Sequence, residues 1–278
     1  MSYRKLFLTI FVFSFAIGAF SQESVFARQR DFSLGAGYLQ TMNSYNLPYG
    51  MEGINLSLSY SYIKKSNKNA NNFWGFAFDA QNAFLQREVP QWMQRTYPHF
   101  NHAELRTGGV WLRHIPLKIK DLNVFAGAAL SLNLVGDYAY TKSGDFLYTY
   151  PYINWYISPD FHFRANYKLP KMQLQLAVNL PVVFVGYFNN QFHEIYLTGE
   201  YAEMAQRIFT PNTLTFFYRY FKPNVAVAAL FPFYNCNGKT RWNFKLEYRF
   251  ASTDLNLKCL QERAEQHDLR IGLVYIFE

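Results

Sequence analysis

The sequence predicts an all-β protein built as an antiparallel transmembrane β-barrel, and three observations carry that expectation. The stretch Thr240–Phe250 alternates strictly, with Trp242, Phe244, Leu246, Tyr248 and Phe250 on one parity and Asn243, Lys245, Glu247 and Arg249 on the other. A period of two sends alternate side chains to opposite faces of a strand. Similar segments recur along the chain, and beyond the N-terminal stretch the longest apolar runs, Leu180–Phe188 and Val225–Phe233, are strand-sized. Aromatic residues make up 20% of the chain, with 22 tyrosines and 28 phenylalanines. Aromatic girdles at the two membrane interfaces of a barrel use such a composition better than a water-soluble core does. A soluble β-sandwich remains the competing architecture, because one alternating strand suits both.

The N-terminus reads as an export signal. Met1-Ser2-Tyr3-Arg4-Lys5 is basic, Leu6–Phe20 is apolar, and Ala19-Phe20-Ser21 offers small residues for cleavage before Gln22. The apolar run is short for a spanning helix, which needs about 20 residues. Residues 1–21 are therefore expected to be a signal peptide and 22–278 the barrel. The net charge is +8, two units of which come from Arg4 and Lys5. The remaining basic residues are scattered, so nucleic-acid binding is not indicated. Outer-membrane lipid and lipopolysaccharide are the expected partners of the positive loops.

Taken in order, Phe32–Gln40 places Phe32, Leu34, Ala36 and Tyr38 outward, with Ser33, Gly35, Gly37 and Leu39 inward. A loop over Met42–Glu52 precedes a second strand, in which Ile54, Leu56, Leu58, Tyr60 and Tyr62 alternate with Asn55 and three serines. Lys64–Asn72 is a polar turn. Trp74, Phe76, Phe78 and Ala80 then face out, opposite Gly75, Ala77, Asp79 and Gln81. After a loop over Glu88–His102, Ala103–Trp111 puts Glu104, Arg106 and Gly108 inside. A turn at Lys118–Asp121 leads to Leu122–Leu134, the longest apolar parity in the chain. The loop Gly136–Pro151 follows, and then Ile153–Tyr167 sets Asp160, His162, Arg164 and Asn166 against Phe161, Phe163, Ala165 and Tyr167. Pro159 within it marks a bulge or an edge-like irregularity.

Leu169-Pro170-Lys171 turns into Met172–Val182, and the longest loop, Asn189–Pro211, holds a short helix around Gly199–Ile208. Leu214–Tyr220, a turn at Lys222-Pro223-Asn224, Val225–Phe233 and a hairpin at Asn235-Cys236-Asn237-Gly238 lead to Thr240–Phe250. Ser252-Thr253-Asp254 reads as a turn, Leu255–Leu260 as a short strand, Gln261–Asp268 as a loop and Leu269–Phe277 as the closing strand. The expected total is about twelve, with ten as the alternative, since single-chain bacterial barrels have even counts. A last strand ending on aromatic Phe277 resembles the signal read by the barrel-assembly machinery. From a periplasmic N-terminus the loops at Met42, Glu88, Gly136, Asn189 and Asn235 fall outside, and the turns at Lys65, Lys118, Leu169 and Lys222 inside. That count sets Cys236 and Cys259 at one end, where a disulfide is one of two readings, free thiols the other.

The inward parity collects Asp79, Glu104, Arg106, His162, Arg164, Lys245, Glu247, Arg249 and Arg270. Mutual pairing that fills the lumen is the leading reading, and a small anion path or lumenal site the sharper one. No catalytic residue is assigned. His193-Glu194 in the longest loop is the best leftover pair for acid–base chemistry. No metal-ligand spacing and no glycine-rich phosphate loop occur, so neither a metal nor a cofactor is expected.

Leu180-Pro181-Val182-Val183, Gly186-Tyr187-Phe188 and Gln191-Phe192-His193-Glu194-Ile195-Tyr196 together resemble motifs of the uncharacterised outer-membrane β-barrel family common in Bacteroides-type bacteria. Asn224–Gly238 with the aromatic strand after it is similar to that family's penultimate hairpin. Phe184 stands where the family has glycine. The resemblance implies a small outer-membrane barrel and no particular activity. The expected role is a non-enzymatic structural, binding or narrow-pore barrel of a Gram-negative outer membrane with an unknown ligand. The alternative is a lipid-modifying hydrolase of phospholipase or lipid A deacylase type.

Overall fold

The computed structural model describes residues 26–43, 47–87, 99–117, 119–140, 152–187, 211, 213–236, 240–257 and 260–277. The expected signal peptide, the helix near 199–208, His193, Glu194 and Cys259 lie outside the described residues.

The chain is all antiparallel β-structure. Its strands are β1 (Arg28–Asn43), β2 (Leu47–Lys65), β3 (Asn72–Arg87), β4 (His99–Ile115), β5 (Leu122–Tyr140), β6 (Tyr152–Lys168), β7 (Gln173–Pro181), β8 (Val183–Tyr187), β9 (Thr213–Phe216), β10 (Tyr220–Phe221), β11 (Asn224–Cys236), β12 (Thr240–Leu257) and β13 (Leu260–Phe277). β1 to β6 pair in sequence order, β6 pairs with β7 and β8, β7 with β11, β11 with β12 and β12 with β13, and β13 pairs with β1, so the sheet closes into a barrel. The wall has ten staves. β8 continues β7 past Val182, and β9, β10 and β11 together form a single stave facing β7, β8 and β12. Followed around the wall from Ser33, the register reaches Tyr156 through β2 to β5 and Lys168 through β13, β12, β11 and β7, twelve residues apart on β6. That stagger corresponds to strands tilted by roughly 35–45°.

Ten staves is the lower of the two expected counts, and the difference lies in two segments read as turns. Lys222-Pro223-Asn224 does not reverse the chain. Tyr220 pairs with Leu255 and Asn224 with Ala251 in unbroken register along β12. On the β7–β8 side the same stretch absorbs four extra residues, because Phe216 faces Val183 while Asn224 faces Asn179. Proline lacks a donor for the ladder and is tolerated at such an irregularity; the Pro223 carbonyl still accepts from Ser252 N at 3.2 Å. Ser252-Thr253-Asp254 likewise continues β12, with Asp254 opposite Arg263, a cross-strand pair of opposite charge. The irregularity expected at Pro159 sits on the facing stave, at the break after Pro181, where Val182 N donates to the Pro159 carbonyl. The loop expected over Met42–Glu52 is mostly strand.

Removing one reversal also moves the Asn235–Gly238 connection to the other end. Cys236 pairs with Thr240 beside Phe277, at the end that carries both described termini. Leu257 pairs with Leu260 at the far end. Cys236 therefore lies at the terminus-bearing end, while the other half of the Cys236–Cys259 disulfide, Cys259, lies outside the described residues.

The alternation in the sequence becomes an inside-out distribution of polarity. On β12, Trp242, Phe244, Leu246 and Tyr248 are 37–47% exposed, whereas Asn243, Lys245 and Glu247 between them are 2–6% exposed. Phe32, Leu34, Ile54, Leu56, Trp74, Phe76, Trp111, Leu130, Leu132, Leu269 and Ile271 extend the exposed apolar surface around the wall. Strands such as β5 and β12, 19 and 18 residues long, exceed the 9–11 residues a tilted strand needs to cross a bilayer. Their polar ends project beyond any apolar belt.

Candidate functional site: the lumen

The inward side chains form layers. At the terminus-bearing end the polar parity is broken by Ile63, Phe73, Leu112, Phe125, Leu230, Val274 and Ile276, which pack with Phe26 into one buried cluster. The Phe73 and Phe125 rings meet edge to face at 5.2 Å, and Phe26 lies 5.1 Å from Phe73 and 5.8 Å from Phe125. Aromatic pairs favour such edge-on and tilted arrangements at these separations. Phe26 precedes β1 and is held by the Ala27 amide donating to the Phe277 carbonyl and the Lys65 amide donating to the Ala27 carbonyl. The far end holds two further apolar clusters. One joins Val135, Tyr156, Phe184, Tyr220 and Leu255; the other joins Leu39, Met51, Ala83 and Leu85.

All nine lumen residues singled out in the sequence lie inside the barrel, Glu104 at the level of the far-end cluster, and the structure brings them together. Asp79 accepts from both Arg249 and Arg270 (2.7 Å from the latter). Arg270, fully buried, also donates to Asp268 at 3.0 Å. Asp268 is fully buried as well and accepts from Asn55 at 2.8 Å and Gln266 at 2.7 Å. Arg249 continues to Glu247 at 3.2 Å, Glu247 to Lys245 at 3.0 Å, and Lys245 to Asp31 at 2.8 Å. From Gln266 the chain of bonds passes through Gln81 (2.6 Å) to Glu104 (2.9 Å), which accepts from Lys222 at 2.6 Å. Lys222 also donates to the Tyr156 hydroxyl at 3.1 Å. A separate knot joins Arg106 to Asp160, whose carboxylate also accepts from Ser131 at 2.5 Å and Ser158 at 2.7 Å.

Buried charges are tolerated when paired and hydrogen-bonded, and a connected network gains from the low dielectric around it. Local sequence makes the room: a Cβ on Gly35 would collide with the Arg270 stem and the Ser57 hydroxyl, and one on Gly37 with Asp268. The small inward residues of β1 are what let the long cation of β13 lie flat against the wall.

Asp31, Asp160, Lys222 and Asp268 belong to this network but were not among the sequence candidates. Asp160 already stood on the inward parity, Lys222 sat in an assumed turn and Asp268 in an assumed loop. His162 is inside, with Nδ1 3.3 Å from the Asn179 side-chain oxygen. Ser131 and Ser158 give their hydroxyls to Asp160, and among the described residues no serine hydroxyl hydrogen-bonds to His162. Nor do the described residues place three His, Cys, Asp or Glu side chains to hold a metal ion.

In the charged layer a chamber of about 180 Å³ is lined by Asp31, Asp79, Arg106, His162, Arg164, Lys245, Glu247 and Arg249, together with small residues such as Gly108, Ala129, Ala177 and Ala226. A second cavity of about 30 Å³ lies toward the far end, lined by His102, Glu104, Tyr156, Lys222 and Gln266 among others.

A closed, antiparallel ten-stave barrel with a polar, filled lumen is the class of protein these features define. Among solved structures the chain is similar to the outer membrane protease OmpT from Escherichia coli, with a TM-score of 0.51 and 10% identity over 90% of this chain and 96% of that one. It also aligns with the translocator domain of the autotransporter NalP from Neisseria meningitidis, at a TM-score of 0.42 and 11% identity, covering 99% of this chain and 95% of that one. At such identities the first likeness shows the fold alone, and the second adds no argument. No protein-family model and no curated protein sequence matches the chain.

Proposed function

We propose that the chain is a non-enzymatic outer-membrane barrel of a Gram-negative bacterium, with a closed lumen and a structural or binding role served by its far-end connections. One observation carries this reading: the wall is apolar outside, while the inside is a paired charge network with one apolar cluster at the terminus-bearing end and two more toward the far end. Side chains such as Leu246 and Ile271 gain from hydrocarbon around them, and a lumen filled in this way favours stability over passage. The terminus-bearing end then faces the periplasm, and the strand ends at Arg87, His99, Tyr140, Tyr152 and Tyr187 face outside, where lipopolysaccharide or a partner meets the barrel. Membership of the Bacteroides-type barrel family is part of the same proposal. It draws on Leu180–Val183 and Gly186-Tyr187, which fall on β7 and β8 and at the break between them.

Cell fractionation with gel mobility compared before and after boiling tests the proposal. The expected band is extracted only by detergent and shifts on boiling; a soluble band that boiling leaves unchanged would overturn it. Leu246→Arg supplies a sharper check of the lipid-facing wall. A cation at mid-depth on that face costs about 2–4 kcal/mol, so the variant's denaturant midpoint in lipid vesicles is expected to fall. An unchanged midpoint would mean that position 246 meets water.

A further inference from the structure

Arg164 differs from its neighbours in the charged layer. It is only 4% exposed, lines the 180 Å³ chamber, and carries a guanidinium bonded to neutral amide oxygens. These are Gln29 Oε1 at 2.6 Å, Asn166 Oδ1 at 3.2 Å and, with its amide turned to face the donors, the Gln175 oxygen. Among the described residues no carboxylate lies in ion-pair range of it, whereas Arg106, Lys245, Arg249 and Arg270 each have one. Donors outnumber acceptors here: the buried Gln29 Nε2 and Arg249 Nε have no protein acceptor. The acids that share the chamber, Asp31, Asp79 and Glu247, are on β1, β3 and β12 and are already held by Lys245, Arg249 and Arg270. The β4–β7 side instead presents Arg106, His162, Arg164 and Asn179, and the acid beside them, Asp160, is held by Arg106, Ser131, Ser158 and Asn179.

We propose that this side of the chamber is a binding site for a small monovalent anion, held between the Arg164 and Arg106 guanidiniums. A planar, permanently charged guanidinium is well suited to gripping an anion where water is scarce. The volume far exceeds the roughly 10–15 Å³ that one water needs, so an ion fits with part of its hydration. The apolar layers on both sides keep the local dielectric low, which strengthens the attraction. This site does not depend on what the far-end connections bind.

The test is to refold the whole barrel in detergent in sodium bromide, crystallise it, and measure anomalous scattering. A bromide peak in contact with Arg164 is expected in the wild type, and its loss in Arg164→Gln. In parallel, the wild type is expected to unfold at a higher temperature in chloride than in gluconate at equal ionic strength, with the difference abolished in Arg164→Gln and retained in Arg164→Lys. Chamber density that refines as water only, with equal unfolding temperatures in the two salts, would overturn the site. A peak that survives unchanged in Arg164→Gln would also overturn it. The wild-type arm decides the matter even if the glutamine variant does not fold.

Discussion

Replacing Arg270 with methionine is expected to destabilise the folded barrel by about 3–5 kcal/mol, the usual cost of removing one partner from a buried ion pair. Arg270 is fully buried and stands between Asp79 and Asp268, of which Asp268 is buried completely. Without it, Asp268 keeps only the amides of Asn55 and Gln266, and Asp79 keeps Arg249 alone. Most of the loss is the stranded Asp268 charge, so adding Asp268→Asn to Arg270→Met is expected to recover part of it. Denaturant midpoints for barrels refolded into lipid vesicles measure both effects. Equal midpoints for the wild type and Arg270→Met would show that the network contributes little, and a double variant weaker than the single one would show that Asp268 is not the stranded charge.

Phe125→Ala is the second large effect, also about 3–5 kcal/mol. Phe125 has no exposed surface and packs against Phe26, Phe73 and His114. Truncation leaves a void inside a rigid wall that cannot collapse around it. Phe244→Ala on β12 is the matched control, because Phe244 faces outward and lipid chains can occupy the space it vacates. The account expects the inward truncation to lower the midpoint clearly more than the outward one. The reverse order would mean that the terminus-bearing end is not packed as a plug.

These two variants also mark where the sequence was legible and where it was not. The parity of Thr240–Phe250 correctly gave the inward Lys245, Glu247 and Arg249, and with the other strands it gave nine residues of the charged layer, because period two depends on backbone geometry alone; Asp31, Asp160, Lys222 and Asp268 were not among them. Stave boundaries were harder. Lys222-Pro223-Asn224 and Ser252-Thr253-Asp254 carry turn chemistry, yet neither reverses the chain: Lys222 meets Glu104 in the lumen, and Asp254 pairs within the wall with Phe221 and Arg263. Misplacing them hid Lys222, moved the Cys236 hairpin to the wrong end and raised the count from ten to twelve. The plug was hidden for a different reason. Phe73, Leu112, Phe125 and Val274 sit on the polar parity, and alone each looks like noise. Only the register brings them to one level, and the common signal is that each lies close to a strand terminus at the same end of the barrel. Phe26, from outside the strands, joins them without any periodic cue.

The central claim is a barrel whose lumen is sealed by apolar layers and filled by paired charge. The measurement that reaches it most directly is ionic current through the purified wild-type barrel in a planar lipid bilayer. The account predicts that insertion, confirmed by protease protection or gel mobility, brings no steady single-channel conductance. A stable, reproducible conductance from the wild-type protein would contradict it, because a conducting path would have to open the buried cluster of Phe26, Phe73 and Phe125.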